Sequence, residues 1–228
     1  MPSGTFNGLP QSVRRVSYRA FLTDPHTFFT DQQEAPSRLA VLLILVGSGL
    51  IPLIAQLTLT SAVVLETGND LTLSYVIGEE TISVALSSLL SSLVSFASAI
   101  FYWIIATAGA YLLTMPFSDS GNLRGTLWLI GWGFIPPLLS GTVWLGAMIV
   151  SIQSTPTPET VAASAEFVRS VQQTQLVQAT RILDYLAIVW TGGLWTVGIR
   201  IIRDVTWGQA ALAAVPGIAI QLAPYLLL

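Results

Sequence analysis

Apolar runs of about twenty residues recur along this chain of 228 residues. That is the length a helix rising about 1.5 Å per residue needs to cross roughly 30 Å of hydrocarbon. Inside lipid every backbone N–H and C=O has to be satisfied within the segment, which leaves helices or a closed barrel, and uninterrupted runs select helices. The remaining composition agrees: 53% of residues are hydrophobic and 9% charged, with a mean hydropathy of +0.70. A water-soluble fold of this size could not hide that much apolar surface. The expected class is therefore all-α, a polytopic membrane protein with a bundle of five transmembrane helices plus an extracytoplasmic amphipathic helix.

The runs divide the chain into an amino-terminal segment over 1–37, expected to be cytoplasmic, and a five-span membrane domain over 38–228. The spans are expected at about 39–59, 93–115, 126–152, 182–202 and 209–228. Arg14, Arg15, Arg19, Asp24, Asp31 and Glu34 precede the first apolar run, so a cleavable signal peptide is not expected and the first span acts as its own insertion signal. Pro52 should kink that span. The stretch from Ile82 to Met115 is too long for the bilayer and must tilt, break or protrude. Pro136 and Pro137 remove two amide donors from the middle of the third span and bias Ile135 away from helical dihedrals, which predicts a kink or short break. Between the third and fourth spans, Val161, Ala165, Val168, Val171 and Leu176 recur at helical spacing, and this helix is expected to lie on the membrane or cap the bundle.

Charge sets the orientation. All nine basic residues are arginine, and seven of them (Arg14, Arg15, Arg19, Arg38, Arg124, Arg200, Arg203) fall on one side of the five-span layout, against Arg169 and Arg181 on the other. Because arginine is retained on the cytoplasmic side, the amino terminus is expected in the cytoplasm and the carboxyl terminus outside, in the cell membrane. The exclusive use of arginine points to a prokaryotic, haloarchaeal host.

The search for chemistry returns little. Cysteine is absent and His26 is the single histidine, which excludes thiolate chemistry and a two-histidine metal site within one chain. Ser48 and Ser140 adjoin glycines but have no histidine or lysine base. Asp184 is a lone carboxylate near a span, read as a rim pair with Arg181 one turn earlier. No catalytic residue, cofactor or metal is therefore expected, and the protein is read as a non-enzyme. Serines at 87, 88, 91, 92, 95 and 98 form a stripe that either packs helices closely or lines a polar path. Gln56 and Gln221 are expected to hydrogen-bond between helices.

Three segments carry a resemblance: "FLTDPHTFF" before the first span, "GNLRGTLWLIGWGFIPPLLSG" entering the third, and "VWTGGLWTVGIRIIRDVTWGQAALAAVPGI" joining the fourth to the fifth. The chain resembles the Yip family, named for proteins that interact with Ypt/Rab GTPases, whose membrane domain is a five-helix bundle with a cytoplasmic amino terminus. The resemblance maps onto Asp24 and Pro25 in the first segment. In the second it maps onto Gly121, Arg124 and Pro136 beside Pro137, and in the third onto Gly198, Arg200 and Gln209 beside Arg203. These are the candidate structural, lipid-contacting or partner-contacting residues. The long cytoplasmic tail of many eukaryotic members is missing, and a prokaryotic host offers no Rab-type GTPase. What the resemblance implies is an integral membrane protein that organises membrane or recruits partners. Membrane lipid, further copies of the chain and other membrane proteins are the expected partners, and nucleic acid is not one. The competing reading is a lipid or small-solute transporter with a polar path between the second and third spans.

Overall fold

The computed structural model describes residues 18–34, 36–63, 72–77 and 80–227. Arg14 and Arg15, two of the arginines that set the expected orientation, lie outside the described residues. Two short helices, α1 (Tyr18–Thr23) and α2 (Pro25–Glu34), precede the first long helix, α3 (Arg38–Ser61). A two-stranded antiparallel hairpin follows, β1 (Thr72–Ile77) and β2 (Glu80–Ala85), in register from Thr72 opposite Ala85 to Ile77 opposite Glu80. The chain then runs through α4 (Leu86–Thr114), α5 (Leu123–Trp132), α6 (Ile135–Ser154), α7 (Val161–Gln172), α8 (Gln175–Arg203) and α9 (Trp207–Leu227).

The protein is helical in its body, and among the described residues four stretches are long and apolar enough to cross a membrane: Arg38–Ser61, Leu93–Phe117, Leu123–Ser154 and Gln175–Arg203. The last apolar helix, α9, has 21 residues. Large apolar side chains point outward, Val94 being 69% and Val189 74% exposed, as a protein with lipid for solvent requires.

Two expectations about boundaries are revised. The stretch from Ile82 does not continue as helix in both directions: its first residues belong to β2, and α4 begins at Leu86. The β-branched alternation of "TISVA" pairs with "TLSYVI" before the helical run begins. The fourth long helix begins at Gln175, not at Ile182, because Thr174 caps it by accepting from the Val177 amide.

Packing pairs α3 with α4, α4 with α9, α9 with α8, α8 with α6, and α6 back with α3, a closed ring of five helices. The third span supplies two pieces to this ring. Its first piece, α5, touches α3, α4 and α8 together and so fills the interior at one end. Its second piece, α6, rejoins the wall. Arg38, Arg124, Arg200 and Arg203 sit where α3 and α5 start and α8 ends, which makes this the arginine end of the bundle.

The break between α5 and α6 falls at Gly133 and Phe134, just ahead of the two prolines. Pro136 and Pro137 thus occupy the first turn of a new helix, where amide donors have no intrahelical acceptor to serve. Ile135, expected to leave the helical region, instead opens α6; the amide of Leu138 reaching the Phe134 carbonyl at 3.0 Å holds that first turn closed. In an unbroken helix the amide of residue 137 would serve the Gly133 carbonyl. Thr191 Oγ1 of α8 donates to that oxygen instead, at 3.0 Å, and the Trp195 indole N–H donates to the Ile130 carbonyl at 2.9 Å. A Cβ at Gly133 or at Gly217 would overlap the Trp195 ring, so two glycines form the slot that admits it.

At the opposite end α7 caps the bundle. Phe167 and Val171 are buried against Ala147, Met148 and Val177. The buried face is Ser164, Phe167 and Val171, while Ala165 is exposed; the aromatic residue, one step from the expected stripe, sets the rotation.

Candidate functional site

Because α5 fills the ring only at the arginine end, the other half of the interior is hollow. A cavity of about 760 Å³ lies there, walled by all five ring helices: Ser48 of α3, Ala97, Ser98 and Tyr102 of α4, Pro137, Ser140 and Gly141 of α6, Asp184 and Ile188 of α8, and Gln221 and Tyr225 of α9. Its lining is mostly apolar with a few polar tips, the make-up of a pocket for an organic ligand. Toward the arginine end Tyr102 and Phe134 line it, with Trp195 packed against both. Tyr102 and Phe134 lie 5.3 Å apart, and Trp195 sits 6.1 Å from Tyr102 and 6.4 Å from Phe134. Toward lipid it opens between α4 and α9, since Val94, Phe101 and Ile105 on one rim and Ile220 and Tyr225 on the other both line it and are exposed.

The polar groups inside come from all five helices. Asp184, nine residues into α8 and so about 14 Å from its start, faces the Ser140 and Tyr225 hydroxyls. That replaces the expected pairing with Arg181, whose side chain is exposed. Gln221 sits beside the Tyr102 hydroxyl of α4, the interhelical neighbour expected of it, though neither of its buried amide atoms completes a hydrogen bond. The neighbouring Tyr102 hydroxyl donates to the Gly217 carbonyl at 2.7 Å.

Among the described members of the serine stripe, Ser98 alone lines this cavity. Ser95 and Ser98 turn their hydroxyls back to the carbonyls of Ser91 and Ser95, at 2.9 and 2.6 Å. Close approach of α3 and α4 is made instead by Gly49 under the Phe96 ring, where a Cβ would come to 2.6 Å. The side chains of Ser87, Ser88 and Ser92 lie outside the described residues.

The sequence model of the Yip1 domain matches residues 19–228, from α1 to the end of the sequence. The chain belongs to the Yip1 domain family. No curated protein and no solved structure matches it. The Yip1 domain thus includes α1 and α2, and both pack on the bundle. Phe28 stacks edge-on against Phe21 and Trp132, at 5.1 and 4.9 Å, and Phe21 reaches Trp190 at 6.2 Å. Gln32 and Gln33, at the other end of α2, border Gly125 and Ile202. Asp24 and Pro25 start this wedge: the Asp24 carboxylate accepts from the Thr27 amide at 3.2 Å and from its hydroxyl at 2.6 Å, and Pro25 takes the first helical position. Those Thr27 bonds hold the Asp24 carboxyl below its ordinary pKa.

Gly121, Arg124, Gly198, Arg200, Arg203 and Gln209 lie toward the arginine end, and most serve the fold. Arg203 is 2% exposed. It donates through Nε to Thr114 Oγ1 at 3.0 Å, through Nη1 to the Ser120 and Gly121 carbonyls, and through Nη2 to the Ser118 carbonyl at 3.0 Å, with its guanidinium 4.5 Å from the Tyr111 ring. Ser118 Oγ in turn donates to the Arg203 carbonyl. One side chain thus staples the α4–α5 loop to the end of α8. Gly121 has φ +69°, and a Cβ there would overlap the Ile202 carbonyl oxygen, so this turn needs glycine. Gly198 lets Leu129 lie against α8. Gln209 closes a capping box at the start of α9, Oε1 accepting from the Thr206 amide and hydroxyl at 3.0 Å each. Arg200 stacks on Trp207 at 4.5 Å. Arg38, 6.0 Å from the Trp128 ring, and Arg124 keep their side chains exposed.

Sequence reading missed the Thr191–Trp195 prop and the grouping of Asp184 with Gln221 and Tyr225. The first could have been found from Thr191 and Trp195 sharing one helix face four residues apart. The second joins helices far apart in sequence, and no local spacing records it.

Proposed function

We propose that this Yip1 domain protein is a non-enzymatic, five-span integral membrane protein that organises the membrane around it and recruits partners at its arginine end. In this reading α9 is the fifth span, the amino terminus faces the cytoplasm, the carboxyl terminus and α7 face outward, and the protein resides in the cell membrane. The reading rests on one observation: Arg38, 6.0 Å from the Trp128 ring, and Arg124 in the first turn of α5 are both exposed at this end, while Arg203 is enclosed by the fold and unable to serve a partner. Exposed arginines beside an interfacial tryptophan suit anionic headgroups, at about 1 kcal/mol per charge at low salt. Asp31, Glu34 and Asp119 are exposed at the same end, and charges of both signs suit protein partners as well.

Replacing Arg38 and Arg124 together by serine should lower retention of anionic lipid in native mass spectrometry from nanodiscs by roughly fivefold per charge at low salt, with the fold intact. Unchanged retention of lipid and of co-purifying membrane proteins counts against the reading.

The cavity between α4 and α6 lends support to the transporter reading, but the Tyr102, Phe134 and Trp195 rings pack together at its inner end. Passage would require that layer to move; a flux assay in sealed vesicles tests it, and a measured flux would make transport the better account of the protein.

A further inference from the structure

The hollow half of the ring has a feature that organising a membrane does not require: a carboxylate and an unpartnered amide face a space that opens to lipid. A half-buried carboxylate in an apolar wall is costly unless a partner satisfies it. Asp184 faces two hydroxyls, which can donate hydrogen bonds but supply no positive charge. Gln221 adds a buried carbonyl oxygen and a buried amide nitrogen beside the Tyr102 hydroxyl, neither completing a hydrogen bond. Tyr102, Phe134 and Phe101 supply ring surface in the same cavity, with Tyr225 at its rim. A carboxylate that shares a cavity with aromatic rings suits an organic cation, through charge at one side and ring faces at the others. The rest of the wall is apolar, and the gap between α4 and α9 faces the hydrocarbon, the direction from which a chain would enter.

We propose that this cavity binds a single-chain amphipath with a protonated amine head, the ammonium on Asp184 and the Gln221 carbonyl and the alkyl chain leaving between α4 and α9. Binding is reversible and involves no bond making. Tyr102, Phe134 and Trp195 pack together at its inner end. The proposal does not depend on the role of the arginine end.

The test uses the full chain in zwitterionic lipid vesicles and three C12 probes carrying a diazirine in the chain: a primary amine, an alcohol and a sulfate. After photolysis, labelled peptides are mapped by mass spectrometry, with unlabelled dodecylamine as competitor. The amine is expected to label α4 and α9 residues of the cavity at least tenfold above the alcohol and to be competed away. Asp184→Asn should reduce amine labelling to the alcohol level, and Asp184→Glu should retain most of it. Ala97→Phe, which narrows the cavity from α4, should reduce labelling there by the amine while leaving Asp184 in place, and so supplies a second arm should the Asn variant fail to fold. Equal labelling by the three probes, amine preference that survives Asp184→Asn, or labels confined to other faces of the bundle would each overturn the proposal.

Discussion

Arg203 shows how a charged residue at a membrane face can belong to the fold. In sequence it is one of several arginines near a span end, and topology alone would account for it. In the structure it bonds to Thr114 and to the carbonyls of Ser118, Ser120 and Gly121. Lysine cannot present the same planar fork. Arg203→Lys should therefore destabilise the bundle by about 2–4 kcal/mol, read as a lowered midpoint in denaturant titration in detergent. Thr191→Val tests the other prop: it keeps shape and removes the donor that serves the Gly133 carbonyl, and a loss of about 1 kcal/mol is expected in the same assay. A variant as stable as the parent would show that the broken span holds itself. The Arg203 role was not legible and the Thr191 role only as a helix face shared with Trp195, because each depends on which carbonyl another element leaves unserved.

At the level of elements, legibility followed locality. The long helices could be read from apolar length, and the capping box at Gln209 and the Asp24–Pro25 start are local patterns with local causes. The break at Gly133 and Phe134 falls immediately ahead of the Ile135–Pro137 position where it was expected, because prolines announce where amides are missing and not where the chain turns. The hairpin over 72–85 was missed because its second strand merges into the apolar run of α4. The α2 wedge should respond to acid in a defined direction. Asp24 titrates below its ordinary value of 3.8 when bonded to Thr27, so its support for α2 is complete above that value and declines as pH falls through the lowered one. The protection factors of residues 25–34 against hydrogen exchange should fall below about pH 4 and stay flat from pH 5 to 8. Asp24→Asn, an equally good cap without the charge, should abolish the acid response.

For the whole molecule, the alternation of long helices implies an orientation that one reporter can test. A fluorescent or protease-accessible tag after Leu228 should read out as extracytoplasmic, and a cytoplasmic signal would remove either the fifth span or the amino-terminal assignment. The apolar spans and the Yip1 resemblance were visible in the sequence, and the family match over 19–228 agrees. The hollow was not, since it exists only because half of one span leaves the wall of the ring.

That half-filled interior gives the bundle unequal stiffness along the membrane normal. Where α5 occupies the core, squeezing by lipid meets close-packed side chains that yield very little. Beyond Phe134 the same pressure acts on walls around about 760 Å³ of open space, and the helices there can move inward. Lateral compression would thus narrow the protein in one leaflet and leave its footprint in the other unchanged, turning a cylinder into a cone.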